Sequence, residues 1–405
     1  MGYFKDAAKG VSWMTALRLT MRSLALVKIA ILARILTPEQ FGNYGIALLV
    51  LGFLEVLTET GINIFLIQEE GDTKTFLNSA WVVSILRGLL ISLVILGSIP
   101  FVVRFFNVPS VSGLLYITAG IAVVRGFINP IEVELQKKLL FTREFFYRGF
   151  LYLTDVGVAV GLGFTTHSES AMLWGMLAAA ITQVFLSFVL FKDRPKFRIE
   201  KAKVRRVINS GKWVTGAGIF SYLFQHLDDV VVGKVAGTGS LGLYQQAYGI
   251  STLPVTEIGN IFNKVTFPVY VKIGGDRLRL KKAFMKTMAV IALLASVFAL
   301  ILLVFSRQII LVFLGEKWLA IEPVLKILAV FGALKSVLNF TYSLFLSLKL
   351  QKYVMYSELV GILGMGIVIY PMTLKYGIIG AATSTIIALF CSLPVVIYGL
   401  IKIFK

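Results

Sequence analysis

Runs of apolar residues long enough to cross bilayer hydrocarbon, about 20 residues each, alternate along the chain with short polar breaks. The runs fall at 11–36, 40–68, 76–104, 111–136, 144–166, 170–192, 208–236, 239–272, 280–314, 319–348, 352–374 and 377–403. The breaks carry turn chemistry, among them TPEQFG, NVPS, TTHSES, KIGGDR and LGEKW. The pattern predicts an all-α integral membrane protein with twelve transmembrane helices.

Composition supports that setting. Of 405 residues, 57% are hydrophobic and 15% charged, against about 25% charged in soluble domains, and the mean hydropathy is +0.84. The net charge is +19, which on a soluble chain would raise nucleic acid as a partner; here the apolar content argues against one. With one cysteine, Cys391, and two histidines, His167 and His226, no cysteine metal cluster and no usual zinc or haem pattern is expected. MGYFKDAAKGVSW has no short apolar core followed by a small-residue cleavage site, so no cleavable signal is expected.

Lysine and arginine set the expected orientation. With the N-terminus inside, the inner loops hold Lys137, Lys138 and Arg143, the cluster from Lys192 to Arg206, and Arg277, Arg279, Lys281, Lys282 and Lys286, while the outer loops hold few cations. The positive-inside rule then places a multi-pass protein in the cell membrane with both termini cytoplasmic.

The polar stretch from Lys192 to Lys212 divides the chain almost in half, and the halves echo each other. At an offset of 200 residues, Trp13-Met14-Thr15 matches Trp213-Val214-Thr215, and Phe41-Gly42-Asn43-Tyr44 matches Leu241-Gly242-Leu243-Tyr244; Arg125 to Asn129 is echoed at Lys335 to Asn339. Two pseudo-symmetric six-helix lobes around a central cavity are expected, residues 1–193 and 208–405, joined by a basic cytoplasmic linker, 194–207, lying on anionic headgroups.

Cations also sit inside the apolar runs. Arg18, Arg22 and Lys28 share a sector of about 120° on the first helix, and Arg87, Arg125 and Lys335 have apolar flanks on both sides. A charge near the bilayer centre costs at least about 2.5 kcal/mol, so it faces a wet cavity or a partner. Ion pairs with Glu55, Glu59, Asp155, Asp228 or Asp229 would satisfy single residues. As a set the cations outnumber those acids and suit an anionic substrate, the arginine fork being matched to phosphate. These six are the candidate substrate-binding residues. His226, Asp228 and Asp229, with Asp155, are candidate ligands for a coupling sodium ion or proton. The spacing Gly157-x-x-x-Gly161 predicts an internal close approach of helices. No phosphate-binding glycine loop, nucleophile triad or metal cage is present, so neither an enzyme nor a resident cofactor is expected.

GVSW at 10–13, LARILTPEQFGNYGIA at 32–47, TGINIFLIQ at 60–68, LDDVVVGKVAGTGSLGLYQQAY at 227–248, VTFPVY at 265–270 and FLGEKW at 313–318 together resemble one family. They are similar to the oligosaccharide flippases of the multidrug/oligosaccharidyl-lipid/polysaccharide exporter superfamily, in the branch handling O-antigen, exopolysaccharide and teichuronic acid units. The resemblance covers nearly the whole chain. It implies translocation of a polyprenyl-pyrophosphate-linked oligosaccharide to the outer leaflet by alternating access around a cationic cavity. Membrane lipids and a polysaccharide polymerase would be its partners. The chain departs from some relatives in having no predicted helices after the twelfth. Two other classes were weighed: a drug exporter of the same superfamily, whose cavity would be dominated by acids, and a membrane polymerase or glycosyltransferase, which needs a large outer loop with clustered carboxylates. The intramembrane cations and the short loops disfavour both.

Overall fold

The computed structural model describes residues 2–58, 62, 66, 74–198, 200, 218–219 and 222–405, without the side chains of 2–12, 14, 74 and 253–265. The described residues are mostly helical, with no strand among them. They form α1 (Gly2–Ile35), α2 (Pro38–Leu57), α3 (Lys74–Phe106), α4 (Val111–Gly126), α5 (Phe141–Thr166), α6 (Ser170–Val189), α7 (222–235), α8 (Gly237–Ile273), α9 (Arg277–Val304), α10 (Ser306–Phe313), α11 (Glu322–Ser347) and α12 (Gln351–Phe404). Six of these are long and apolar enough to cross a membrane, or seven if α4 is joined to the bent segment after it. The chain is a multi-pass membrane protein.

Local sequence explains several boundaries. Thr37 caps α2 in a capping box: its Oγ1 accepts from the Gln40 N–H at 3.3 Å while the Gln40 side chain accepts from the Thr37 N–H at 2.9 Å, and Pro38 opens the helix where no N–H is needed. Asp276 caps α9 by accepting from the Arg279 N–H at 3.0 Å.

Two expected spans are interrupted, and the expected break between 374 and 377 falls inside one helical element. Residues 111–136 break after α4, where Asn129 is extended and its side chain accepts from the Ile131 N–H. Pro130, which cannot donate, then starts a 3-10 turn over Pro130–Val133 and one helical turn over Glu134–Lys137, bent 73° from α4. Residues 280–314 break at Phe305 between α9 and α10. In α12 the backbone leaves helical geometry at Gly377, with φ 57° and ψ −138°, a conformation glycine adopts without a Cβ clash.

The chain divides into two compact units, Met1–Gln225 and His226–Lys405. Most of the basic stretch between Lys192 and Lys212, the echo at Trp213 to Thr215, Glu59 and most of TGINIFLIQ lie outside the described residues. Within the first unit α1 packs on α5, α3 on α4, α5 on α6 and α4 on both α2 and α6; within the second α11 packs on α8, α9 and α12. Left-handed backbone recurs between the halves: Leu139 (φ 54°) and Lys349 (φ 60°), and His167 (φ 50°) and Gly377 (φ 57°), are each 210 residues apart.

One expectation is corrected. A Cβ at Gly157 or Gly161 would meet nothing within 4 Å, so the glycine pair marks an open face of α5 and no close approach. The close approaches are elsewhere. α3 and α4 touch at Gly88 and Gly126, where a Cβ on Gly88 would lie 2.6 Å from the Ala122 carbonyl oxygen and 3.0 Å from the Gly126 Cα.

Candidate functional site

The crossing of α3 and α4 builds the site. Arg87 and Arg125 each immediately precede one of the two contacting glycines, so backbone contact brings two guanidinium stems to one place. Both reach toward Glu55 on α2. Arg125 donates from Nη1 to Glu55 Oε1 at 2.6 Å. Arg87 donates from Nη2 to the Glu55 carbonyl at 2.6 Å and from Nε to Thr58 Oγ1 at 3.2 Å.

These groups line a polar cavity of about 540 Å³ in the first unit, whose charged lining is Arg87, Arg125 and Arg148 against Glu55 and Glu132. Glu132 accepts from the Tyr147 hydroxyl at 2.8 Å and from Gln183 Nε2 at 3.0 and 3.1 Å. Arg148 donates to the buried Glu144, 2.8 Å away on the preceding turn. The Arg125 and Glu55 side chains are 37% and 35% exposed, so the pair is wet and open to exchange with another anion.

Sequence reasoning picked out Arg87 and Arg125. It missed Arg148, Glu132, Gln183 and Tyr222, whose hydroxyl donates to the Leu49 carbonyl at 2.8 Å and whose ring lies against Gly52. The available signal was the repeated Arg-Gly dipeptide in SILRGLL and AVVRGFIN.

The cations of α1 are placed differently from one another. Lys28 is buried and donates to both oxygens of Asp155 on α5, at 2.7 and 2.8 Å. A candidate phosphate ligand and a candidate coupling residue thus hold each other. A Cβ at Gly175 would lie 2.7 Å from Asp155 Oδ1, so α6 comes in close over the pair. Arg18 and Arg22 are exposed.

The remaining candidates meet in the second unit. Lys335 on α11 donates to the Tyr248 hydroxyl at 2.8 Å and sits 5.5 and 5.2 Å from the ring centroids of Tyr248 and Phe331. Tyr248 neighbours Tyr244, whose hydroxyl donates to Asp228 Oδ2 at 2.8 Å. Asp228 Oδ1 accepts the Asp229 N–H, and Asp229 Oδ2 lies 3.0 Å from His226 Nδ1. Asp228, Asp229 and Tyr244 are buried. The two adjacent aspartates point to different partners, as neighbours on a helix must. Tyr244 and Tyr248, four residues apart and so on one helical face, are the links sequence reasoning passed over. Among the described residues no group of three metal-ligating side chains is gathered.

A fold of long apolar helices in two units is shared with solved structures of membrane transporters. A lipid II flippase, MurJ, in an inward closed conformation superposes with TM-score 0.76 over 96% of this chain and 88% of its own, at 17% identity. An inward-facing multidrug resistance MATE family transporter of the MOP superfamily gives 0.72 over 95% and 94%, at 15% identity. At the level of sequence, residues 31–323 match the polysaccharide biosynthesis protein family, and the chain belongs to it. Relatives include the lipopolysaccharide biosynthesis protein WzxC of Escherichia coli, 27% identical over 84% of this chain and 69% of that protein. The teichuronic acid biosynthesis protein TuaB of Bacillus subtilis is 24% identical over 83% and 70%.

Proposed function

We propose that this protein translocates a polyprenyl-pyrophosphate-linked oligosaccharide from the cytoplasmic to the outer leaflet for cell-surface polysaccharide biosynthesis. The observation that carries the reading is the cavity holding Arg87, Arg125 and Arg148 against two glutamates. Set among apolar helices, a pocket whose lining carries three arginines against two glutamates favours an anion, and paired guanidinium forks match the oxygens of a pyrophosphate. A drug exporter would call for acids in the majority there.

In this reading the chain crosses the membrane twelve times, α12 contributing two spans that meet at Gly377, with both termini cytoplasmic. The two units alternate access. The substrate phosphates exchange with Glu55 for Arg125, a swap eased because the resident pair keeps about a third of its surface open. Arg18 and Arg22 guide the headgroup toward the cavity. In the second unit Asp228, Asp229 and His226 bind the coupling proton or sodium ion, and the Tyr244–Tyr248 link carries its effect to Lys335. A ligand shifts such an equilibrium by its differential affinity for the two states.

The test is transport of a defined lipid-linked oligosaccharide in proteoliposomes, with complementation of flippase-deficient strains in parallel. The double variant Arg87→Ala, Arg125→Ala should lose transport while still inserting, and Arg87→Lys, Arg125→Lys should keep part of it because charge survives without the fork. Full transport by the double alanine variant overturns the cavity assignment.

A further inference from the structure

A second cavity in the first unit, of about 1040 Å³, lies between α1, α5 and α6 and is mostly apolar. Its walls include Phe146 and Phe150, 63% and 54% exposed, with Leu153 and Leu190 also open. Its charged lining is Glu134 with two exposed cations, Lys138, which is ion-paired with Glu134, and Arg143. Its back wall is Tyr147. That ring packs edge-on against Phe191, with centroids 6.1 Å apart, while its hydroxyl donates to Glu132 in the polar cavity. One tyrosine, with Glu132 and Gln183 behind it, therefore separates an apolar trough from the arginine cavity.

We propose that this trough is a binding site for the single isoprenoid chain of a polyprenyl phosphate, with the phosphate first held at Arg143 and Tyr147 as the partition between chain site and headgroup cavity. The proposal rests on the flippase reading. Charge complementarity selects an anionic lipid, since the charged lining is Lys138 and Arg143 against the single acid Glu134, which is paired with Lys138, so that Arg143 is the surplus cation. Continuity with the arginine cavity selects the carrier over a bulk phospholipid: a carrier whose phosphate is first held at Arg143 has a polar pocket directly behind Tyr147 for its headgroup to enter next, while its chain stays in hydrocarbon. Two acyl chains on one glycerol have no use for that adjacency.

Glycines on α5 supply the test. A Cβ at Gly149, which lines the trough, and one at Gly157, which does not, would each meet open space. A tryptophan fits at either position, but only at 149 does it fill the trough. Binding of undecaprenyl phosphate to the full-length protein in phosphatidylcholine nanodiscs is measured, with phosphatidylglycerol as competitor. Gly149→Trp should weaken binding about tenfold, the equivalent of losing about two buried methylenes, while Gly157→Trp stays within about twofold. Arg143→Gln should weaken the phosphate probe but leave uncharged undecaprenol unchanged. Unchanged binding in Gly149→Trp, or equal displacement by phosphatidylglycerol, overturns the site. Translocation by the same preparations separates the two readings. Transport with unaltered probe binding in Gly149→Trp removes the trough and leaves the flippase; a wild type that binds the probe in the trough yet moves no lipid-linked oligosaccharide removes the flippase and leaves the lipid site.

Discussion

Lys28 and Asp155 each invite a transport role in isolation, yet they are occupied with each other across 127 residues of sequence. Both side chains are nearly buried, at 11% and 13% exposure, so the pair answers to the energetics of the interior. Removing one partner strands a charge and costs about 3–5 kcal/mol, whereas replacing both with apolar groups is near neutral. Asp155→Ala should therefore lower the melting temperature in detergent sharply, and Lys28→Met with Asp155→Leu should restore most of it. Equal loss in the single and the double variant would show that the pair is not what the site rests on. The intramembrane cations were legible because each one breaks an apolar run. Glu55 and Asp155 stood among the acids that could pair with them, but which acid meets which cation was not legible, because a helix repeat says which face a residue occupies and nothing about which distant helix covers that face. Arg125 and Glu55, 70 residues apart, make the same point.

At the scale of elements, α3 and α4 are held by contact of backbone with backbone. A methyl group on Gly88 would press on the Ala122 carbonyl and the Gly126 Cα, neither of which can turn away as a side chain can. Gly88→Ala should cost about 1–3 kcal/mol, the range for overpacking, and should reduce transport by parting Arg87 from Arg125. Gly97→Ala on the same helix, where a Cβ meets nothing within 4 Å, is the control and should be neutral or slightly stabilising. Thermal unfolding of the two variants side by side decides it. Long apolar runs made most helices legible: 76–104 appears as Lys74–Phe106, 170–192 as Ser170–Val189 and 239–272 as Gly237–Ile273. The breaks at Asn129 and Phe305 were not, since hydropathy is continuous through a bend. Nor was the right glycine pair. The four-residue spacing of Gly157 and Gly161 drew attention to one helix, whereas a crossing needs a glycine on each of two.

At the scale of the whole molecule, the internal echo extends from residue types to backbone geometry, with left-handed turns at Leu139 and Lys349, and again at His167 and Gly377. In the proposed topology a half of six helices would return the chain to its starting side, so both halves would enter the membrane in the same sense. Reporters fused after Arg198 or Arg279 should behave as cytoplasmic, and one at His167 as external; a cytoplasmic signal at His167 refutes the orientation. The glycine crossing also bears on how the protein is made. Arginine at the centre of a lone inserting helix carries a charge of about 2.5–3.5 kcal/mol against membrane entry. Arg87 and Arg125 lie on α3 and α4, which pack on each other, and Glu55 lies on α2, synthesised before both. A ribosome delivering α2, α3 and α4 in that order supplies the counter-charge first. The two arginines can then leave the translocon with their contacts already available, so the segments least suited to lipid need not wait in it alone.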